Sequence, residues 1–217
     1  MKKTLLVTVF ILLTSLSAQA QEFFPYNWTE GMHLFAGIGA NSSLFTDQEG
    51  TYDGGLGLSF KTDVTYFLNE NWAIEIGSAV GFNRVGNHLL WDTLFTVGVR
   101  TPLPSLTQYQ LGQPYGRLFV GRAPTVMFLN GDHSKVDNGN VDRIQWDGPL
   151  VGGALGTLHM TTKGQVWFTE ITFAYHELKQ QTEIGMAGEV PVIISDRNVD
   201  GHSAAYSLSF IVGIMAF

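Results

Sequence analysis

Bulky apolar residues alternate with small or polar residues along most of this chain. Between Leu56 and Tyr66, one face carries mainly Leu, Phe, Val and Tyr, while the other carries Gly, Ser, Lys, Asp and Thr. The polar turn Asn69–Asn71 follows, and the alternation resumes from Trp72 to Phe82. A period of two is the spacing of a β-strand with two unlike faces, so this stretch predicts a β-hairpin.

The same pattern recurs and predicts an all-β chain with eight strands. They lie near residues 32–41, 55–68, 72–82, 90–100, 115–123, 150–160, 166–175 and 204–217. Each has about 9 to 14 residues, a length that crosses a bilayer at a tilt. Connectors on one side are mostly short turns, and those on the other are long and polar (42–54, 129–149 and 176–203). This asymmetry is typical of an eight-stranded antiparallel up-and-down transmembrane β-barrel, although connectors 83–89 and 101–114 depart from it.

The first twenty residues have the pattern of an export signal. Lys2 and Lys3 precede a short apolar run that begins at Leu5, and Ala18-Gln19-Ala20 is a cleavage signature. We therefore expect a signal peptide at 1–20, a short lead at 21–31 and the barrel at 32–217.

Composition narrows the range of functions. The 217 residues include 25 glycines and no cysteine, and the formal net charge is -7. Without cysteine, disulfide scaffolds, thiolate metal sites and cysteine nucleophiles are excluded. An acidic chain also disfavours binding to a phosphate backbone, so no nucleic acid partner is expected.

The two strand faces differ in a way that indicates which one meets lipid. A soluble barrel turns its apolar face inward, whereas a membrane barrel turns it outward. Here the less apolar face carries both the charges and many glycines, which suit a narrow lumen. The sequence favours the membrane barrel, with a soluble periplasmic β-protein as the alternative.

Unpaired charges in a lumen are costly, so we expect an interior ion-pair network. Its predicted members are Lys61, Asp63, Glu75, Arg100, Arg117 and Glu170.

Aromatic residues near the strand ends of the apolar face predict two interfacial girdles, where such side chains anchor a barrel between hydrocarbon and water. The residues concerned are Tyr66, Trp72, Trp91, Trp167, Tyr175 and Tyr206.

Three features resemble the small outer-membrane β-barrel families, namely the OmpA transmembrane domain, OmpX, OmpW and the opacity proteins. They are the hairpin 65–77 (TYFLNENWAIEIG), the segment 114–121 (PYGRLFVG) and the terminal Phe217. The resemblance implies a Gram-negative outer membrane, with lipid and lipopolysaccharide around the barrel. It also implies that Phe217 is an assembly signal for the barrel assembly machinery, although the apolar face of the last strand is out of phase with it.

These features predict a structural or surface-interaction role, with a polar, plugged lumen and long outer loops. One alternative is a narrow ion or small-solute channel gated by the interior ion pairs. The other is a lipid A-modifying enzyme, for which His176-Glu177 and His202-Ser203 offer suitable residue types. Adjacent His202 and Ser203 would point to opposite faces of a strand, which disfavours that alternative.

The sequence predicts neither a cofactor nor a metal centre. The loop segment 132–142 is rich in possible oxygen ligands but lacks the EF-hand spacing. The outer loops contain twelve acidic and five basic residues, so a weak association with Ca²⁺ or Mg²⁺ beside anionic lipopolysaccharide is a further hypothesis.

Overall fold

The computed structural model describes residues 31–46, 51–85, 88–103, 112–129, 135–136, 139–160, 165–187, 190–198 and 204–216. The predicted signal peptide, nearly all of the predicted lead, Phe217 and the pair His202-Ser203 lie outside these ranges. Within the described ranges, no helix is long and apolar enough to cross a membrane.

The described residues form thirteen β-strands. In chain order these are β1 (Gly31–Thr46), β2 (Thr51–Phe67), β3 (Ala73–Val85), β4 (His88–Pro102), β5 (Gln113–Arg122), β6 (Thr125–Phe128), β7 (Lys135–Val136), β8 (Gly139–Asp147), β9 (Pro149–Met160), β10 (Val166–Glu177), β11 (Gln180–Ala187), β12 (Val190–Asn198) and β13 (Ala204–Ala216).

Eight of these strands close a barrel. The order around it is β1, β2, β3, β4, β5, β9, β10 and β13, and β13 pairs with β1 to complete the ring. Every neighbouring pair is antiparallel. The predicted all-β class and the eight-stranded antiparallel barrel are confirmed.

The barrel is apolar outside and polar inside. Ile76 is 69% exposed and Leu155 is 63% exposed, whereas Lys61 and Asp63 on the opposite face are 4% and 1% exposed. A continuous apolar surface around the whole barrel does not suit water, and it matches the outward band of a membrane barrel. The alternative of a soluble barrel, with its bulky side chains in a central core, is wrong.

A tight turn after β2 marks one end of the barrel. The Asn69 Oδ1 atom accepts hydrogen bonds from the backbone N–H groups of Asn71 at 2.8 Å and Trp72 at 3.0 Å, and the Leu68 N–H donates to the Trp72 carbonyl at 2.9 Å. We call this end periplasmic, because outer-membrane barrels have short periplasmic turns, and the opposite end outer.

The outer connectors differ from the expected polar loops because they contain strands. β5 continues into β6, β8 leads into β9, and β10 continues into β11. Pairing persists across these breaks, since the N–H of Ala123 donates to the carbonyl of Gly148 at 3.2 Å and that of Lys179 to Asp147 at 3.0 Å. The result is a sheet that projects beyond the outer end, in the order β4, β6, β8, β11 and β12.

Register shifts explain why the alternation does not reveal this projecting sheet. Between β8 and β11 the register shifts at Ile184 and Gly185, and between β11 and β12 it shifts at Glu183 and Ile184. Each shift reverses which face the following residues occupy, so the period of two is lost within a few residues.

The outward face of β4 provides a test of the lipid-facing assignment. Val97 is 58% exposed and is paired with Ile76 on β3 and Val120 on β5. We expect V97R to lower the free energy of unfolding in lipid vesicles by about 2–4 kcal/mol, the cost of a cation in hydrocarbon.

The matched control is Q180R, at an exposed position of β11 in the projecting sheet, which should change stability by less than about 0.5 kcal/mol. Both variants are compared by denaturant titration with tryptophan fluorescence. Equal effects of the two arginines would contradict the assignment.

Candidate functional site in the barrel lumen

The lumen contains successive layers of side chains. A lower apolar cluster lies toward the periplasmic end and consists of Phe35, Phe67, Ala73, Tyr115, Leu158, Val166, Phe168 and Ile211. An upper apolar cluster toward the outer end consists of Val85, Leu90, Met127, Trp146, Leu178 and Ala205. Buried polar residues such as His33, Thr65 and Gln113 lie at the level of the lower cluster, and most other buried polar and charged residues lie between the two clusters.

Three cations and three carboxylates form a buried ion-pair network directly above the lower apolar cluster. Lys61 pairs with Asp63 at 2.9 Å and with Glu170. Arg100 pairs with Glu75 at 3.0 Å and Asp63 at 3.5 Å. Arg117 pairs with Asp63 at 3.3 Å, with Glu170 at 3.4 Å and with Glu75. The charges balance, which is the condition for burying them at tolerable cost.

Neutral side chains orient the network. The Tyr115 hydroxyl donates to Glu170 Oε2 at 2.9 Å, and the Thr172 hydroxyl donates to Glu170 Oε1 at 2.8 Å. The Arg100 guanidinium lies 3.8 Å from the centroid of the Phe35 ring, so the network stacks on the lower apolar cluster. Such cation–π contacts add to the ion pairs when both partners are desolvated.

Glycines make room for these side chains. A Cβ atom at Gly77 would lie 2.0 Å from Asp63 Oδ1, and one at Gly156 would lie 2.5 Å from the Tyr115 hydroxyl. Each large polar group therefore lies over a strand position that has no side chain. The residual cavity beside Lys61 and Arg117 measures only about 20 Å³, roughly the space of one water molecule.

A second group of buried polar side chains, which we call the outer polar cluster, lies nearer the outer end. It consists of Asn41, Ser43, Asn83, Asp92, Thr125 and His176, and each is less than 9% exposed. The Asn83 amide donates to Ser43 Oγ at 2.7 Å, and Ser43 Oγ donates to Asp92 Oδ2 at 3.3 Å. Within the described residues, no three His, Cys, Asp or Glu side chains form a metal-binding group.

The structure brings together all six residues of the predicted interior network. Their role beyond packing stays a prediction. Arg122 is the last residue of β5, where its side chain is 70% exposed and pairs with Asp147 at 2.6 Å. His176, considered above as a rim residue for catalysis, instead faces the lumen and is fully buried.

The predicted aromatic anchors lie at both ends of the apolar belt. Tyr66, Trp72 and Trp167 are near the periplasmic end, and Trp167 stacks on His159 with ring centroids 3.9 Å apart. The others, Trp91, Tyr175 and Tyr206, lie toward the outer end, where the two tyrosine rings are 5.2 Å apart. The girdle function itself stays a prediction.

Several residues of the lumen are not members of the predicted network, although strand parity identifies some of them. Tyr115 shares parity with Arg117 on β5. His176 shares parity with Glu170 and Thr172 on β10, but it follows Tyr175, where the predicted strand stops. Extending the alternation by one residue would have placed His176 in the lumen.

No protein-family model and no curated protein matches this chain. Among solved structures, Neisserial surface protein A superposes with a TM-score of 0.50 at 12% identity, over 85% of this chain and 99% of that one. The fold is that of a small outer-membrane β-barrel.

Two further solved barrels are similar. Ail, the attachment invasion locus protein of Yersinia pestis, gives a TM-score of 0.47 at 12% identity over 87% of this chain and 100% of its own. OprG from Pseudomonas aeruginosa gives a TM-score of 0.48 at 14% identity over 86% of this chain and 95% of its own. The apolar belt around this barrel agrees with an outer-membrane location.

Because the six lumen charges balance, removing one carboxylate should lower the stability of the barrel. E170Q removes the carboxylate that contacts Lys61 and Arg117, leaving one buried positive charge in excess. We expect the free energy of unfolding in lipid vesicles to fall by about 3–5 kcal/mol.

The control E70Q, at an exposed turn residue, should change stability by less than about 0.5 kcal/mol. Adding K61M to E170Q restores charge balance and should recover part of the loss. A double variant that is no more stable than E170Q alone would show that charge balance does not stabilise the lumen.

Proposed function

We propose that this protein is a barrel with a plugged lumen that presents a rigid β-sheet outside the outer membrane for interaction at the cell surface. The observation that carries this proposal is the projecting sheet that ends in β12. The eight residues of β11 alone extend about 25 Å beyond the barrel along the strand direction.

The edge of this sheet has the properties of an interaction surface. Among the strands that the structure describes, only β11 pairs with β12, so the other edge of β12 offers backbone N–H and C=O groups. Its first five residues are also apolar, with Val190 63% exposed and Ile193 67% exposed. An exposed apolar edge favours the addition of an extended segment from another protein.

The packing of the lumen supports the first part of the proposal, that the barrel is plugged. Apolar clusters lie on both sides of the ion-pair network, and the cavity beside Lys61 is about the size of one water molecule. Eight strands leave little open diameter, because side chains fill so narrow a barrel.

The surface role is tested by blocking the edge of β12. Cells that produce the V192P/I193K variant carry a proline and an added lysine in β12, two devices that protect natural edge strands. We expect their adhesion to protein-coated surfaces to fall to the level of cells without the protein.

A matched control is the D142K variant, which adds a lysine at an exposed position of β8 away from this edge. It should adhere like the wild type. Unchanged adhesion of the edge variant, with equal surface amounts verified by protease accessibility, would contradict a role for β12 and leave only a structural role.

A second candidate is a narrow channel gated by the ion pairs. It is favoured by the shared contacts in the network, since Asp63 contacts Lys61, Arg100 and Arg117. Partners can exchange along such a network without leaving any charge alone, which lowers the barrier to rearrangement.

Planar bilayer recordings separate the two candidates. A plugged barrel gives no discrete conductance steps with either the wild type or E170Q. Discrete steps in the wild type whose size or open fraction changes in E170Q would overturn the plugged lumen and favour the gated channel.

A further inference from the structure

The outer polar cluster contains several buried polar atoms without a hydrogen-bond partner from the protein. Three of its buried oxygens, Asn41 Oδ1, Asn83 Oδ1 and Asp92 Oδ1, have no hydrogen-bond donor from the protein. All three side chains are at least nine-tenths buried. A buried acceptor without a donor is costly, and a charged one more so, which indicates that something else satisfies these oxygens.

The side chains of this cluster meet across strands that are not neighbours. The Asn41 side chain on β1 reaches over β2 toward β3, so that a Cβ at Gly57 would lie 2.6 Å from Asn41 Oδ1 and 2.2 Å from Asn83 Oδ1. Ser43 on β1 reaches Asp92 on β4. Glycine at position 57 thus allows two amide oxygens to approach each other, and the Ser43 hydroxyl links the Asn83 amide to the Asp92 carboxylate.

Asp92 lies outside the ion-pair network of the lumen. The ion-pair network below it is already neutral, with three cations and three carboxylates. Within the described part of the chain, no ion pair reaches Asp92. His176 is close enough to interact electrostatically with Asp92, yet neither of its ring nitrogens makes a hydrogen bond.

We infer that the outer polar cluster binds a small hard cation. One carboxylate and neutral amide oxygens are hard ligands of the kind that Ca²⁺ and Na⁺ prefer, and the single imidazole of His176 does not make a ligand set for a transition metal. The cation supplies a positive charge and satisfies the unpartnered oxygens. This inference is independent of the proposed surface role and concerns the lumen, not the acidic outer loops.

Thermal unfolding of the purified mature protein in detergent tests the inference. Unfolding is followed in CaCl₂, NaCl and choline chloride at equal ionic strength, with lipopolysaccharide absent. We expect a higher Tm in CaCl₂ or NaCl than in choline chloride, because a cation that binds only the folded state stabilises it. The salt that gives the shift identifies the cation. Equal Tm values in all three salts would overturn the inference.

Isosteric variants assign any shift to this cluster. D92N removes the carboxylate and should abolish the difference between salts. N41D adds a second carboxylate and should enlarge the shift in CaCl₂. The control D142N, at an exposed position of β8, should behave like the wild type. If the cluster instead holds only water, N41D lowers Tm in every salt and the response to calcium does not grow.

Terbium luminescence gives a readout that does not depend on stability. Thr125 is paired with Asp92 on one side and with Trp146 on the other, so an indole lies close to the cluster and can sensitise a bound Tb³⁺ ion. We expect D92N to lower the apparent affinity for Tb³⁺ about tenfold or more. D142N should leave that affinity unchanged. Equal titration curves for D92N and D142N would locate the bound ion elsewhere and overturn the inference.

Discussion

Hydrocarbon around the barrel is the constraint on which the rest of the structure depends. Lipid offers no hydrogen-bond partner, so every backbone group must be paired within the sheet, and every charged side chain within the belt must point inward. The pairing of β13 with β1 meets the first requirement by closing the ring. The second concentrates six charges in a narrow lumen, where only mutual neutralisation makes them tolerable.

The narrow lumen in turn determines where small residues occur. Large polar side chains such as Asp63 and Tyr115 cross over neighbouring strands, and they do so where those strands carry Gly77 and Gly156. The same arrangement recurs in the outer polar cluster, where Asn41 lies over Gly57 and Gly81. The glycines of the lumen therefore provide the space that its large polar and charged side chains occupy.

Beyond the outer end the constraint is lifted, and the strands behave differently. Water on both sides removes the need for a purely apolar outer face, so β6, β8 and β11 continue the barrel strands without keeping its alternation. Nor does the sheet need to close there, because water satisfies an open edge. This freedom is what leaves β12 at the edge of the projecting sheet.

By itself, the sequence determined the features that depend on local alternation. These are the strands of the barrel, the outward direction of residues such as Ile76 and the inward direction of Lys61, because neighbouring side chains on a strand must point to opposite faces. Only the tertiary structure decided which inward residues meet, since the pairing of Lys61 with Glu170 or of Ser43 with Asp92 joins strands far apart in the chain. It also decided that polar connectors become a projecting sheet, because register shifts erase the alternation there and cross-strand hydrogen bonds replace it as the organising interaction.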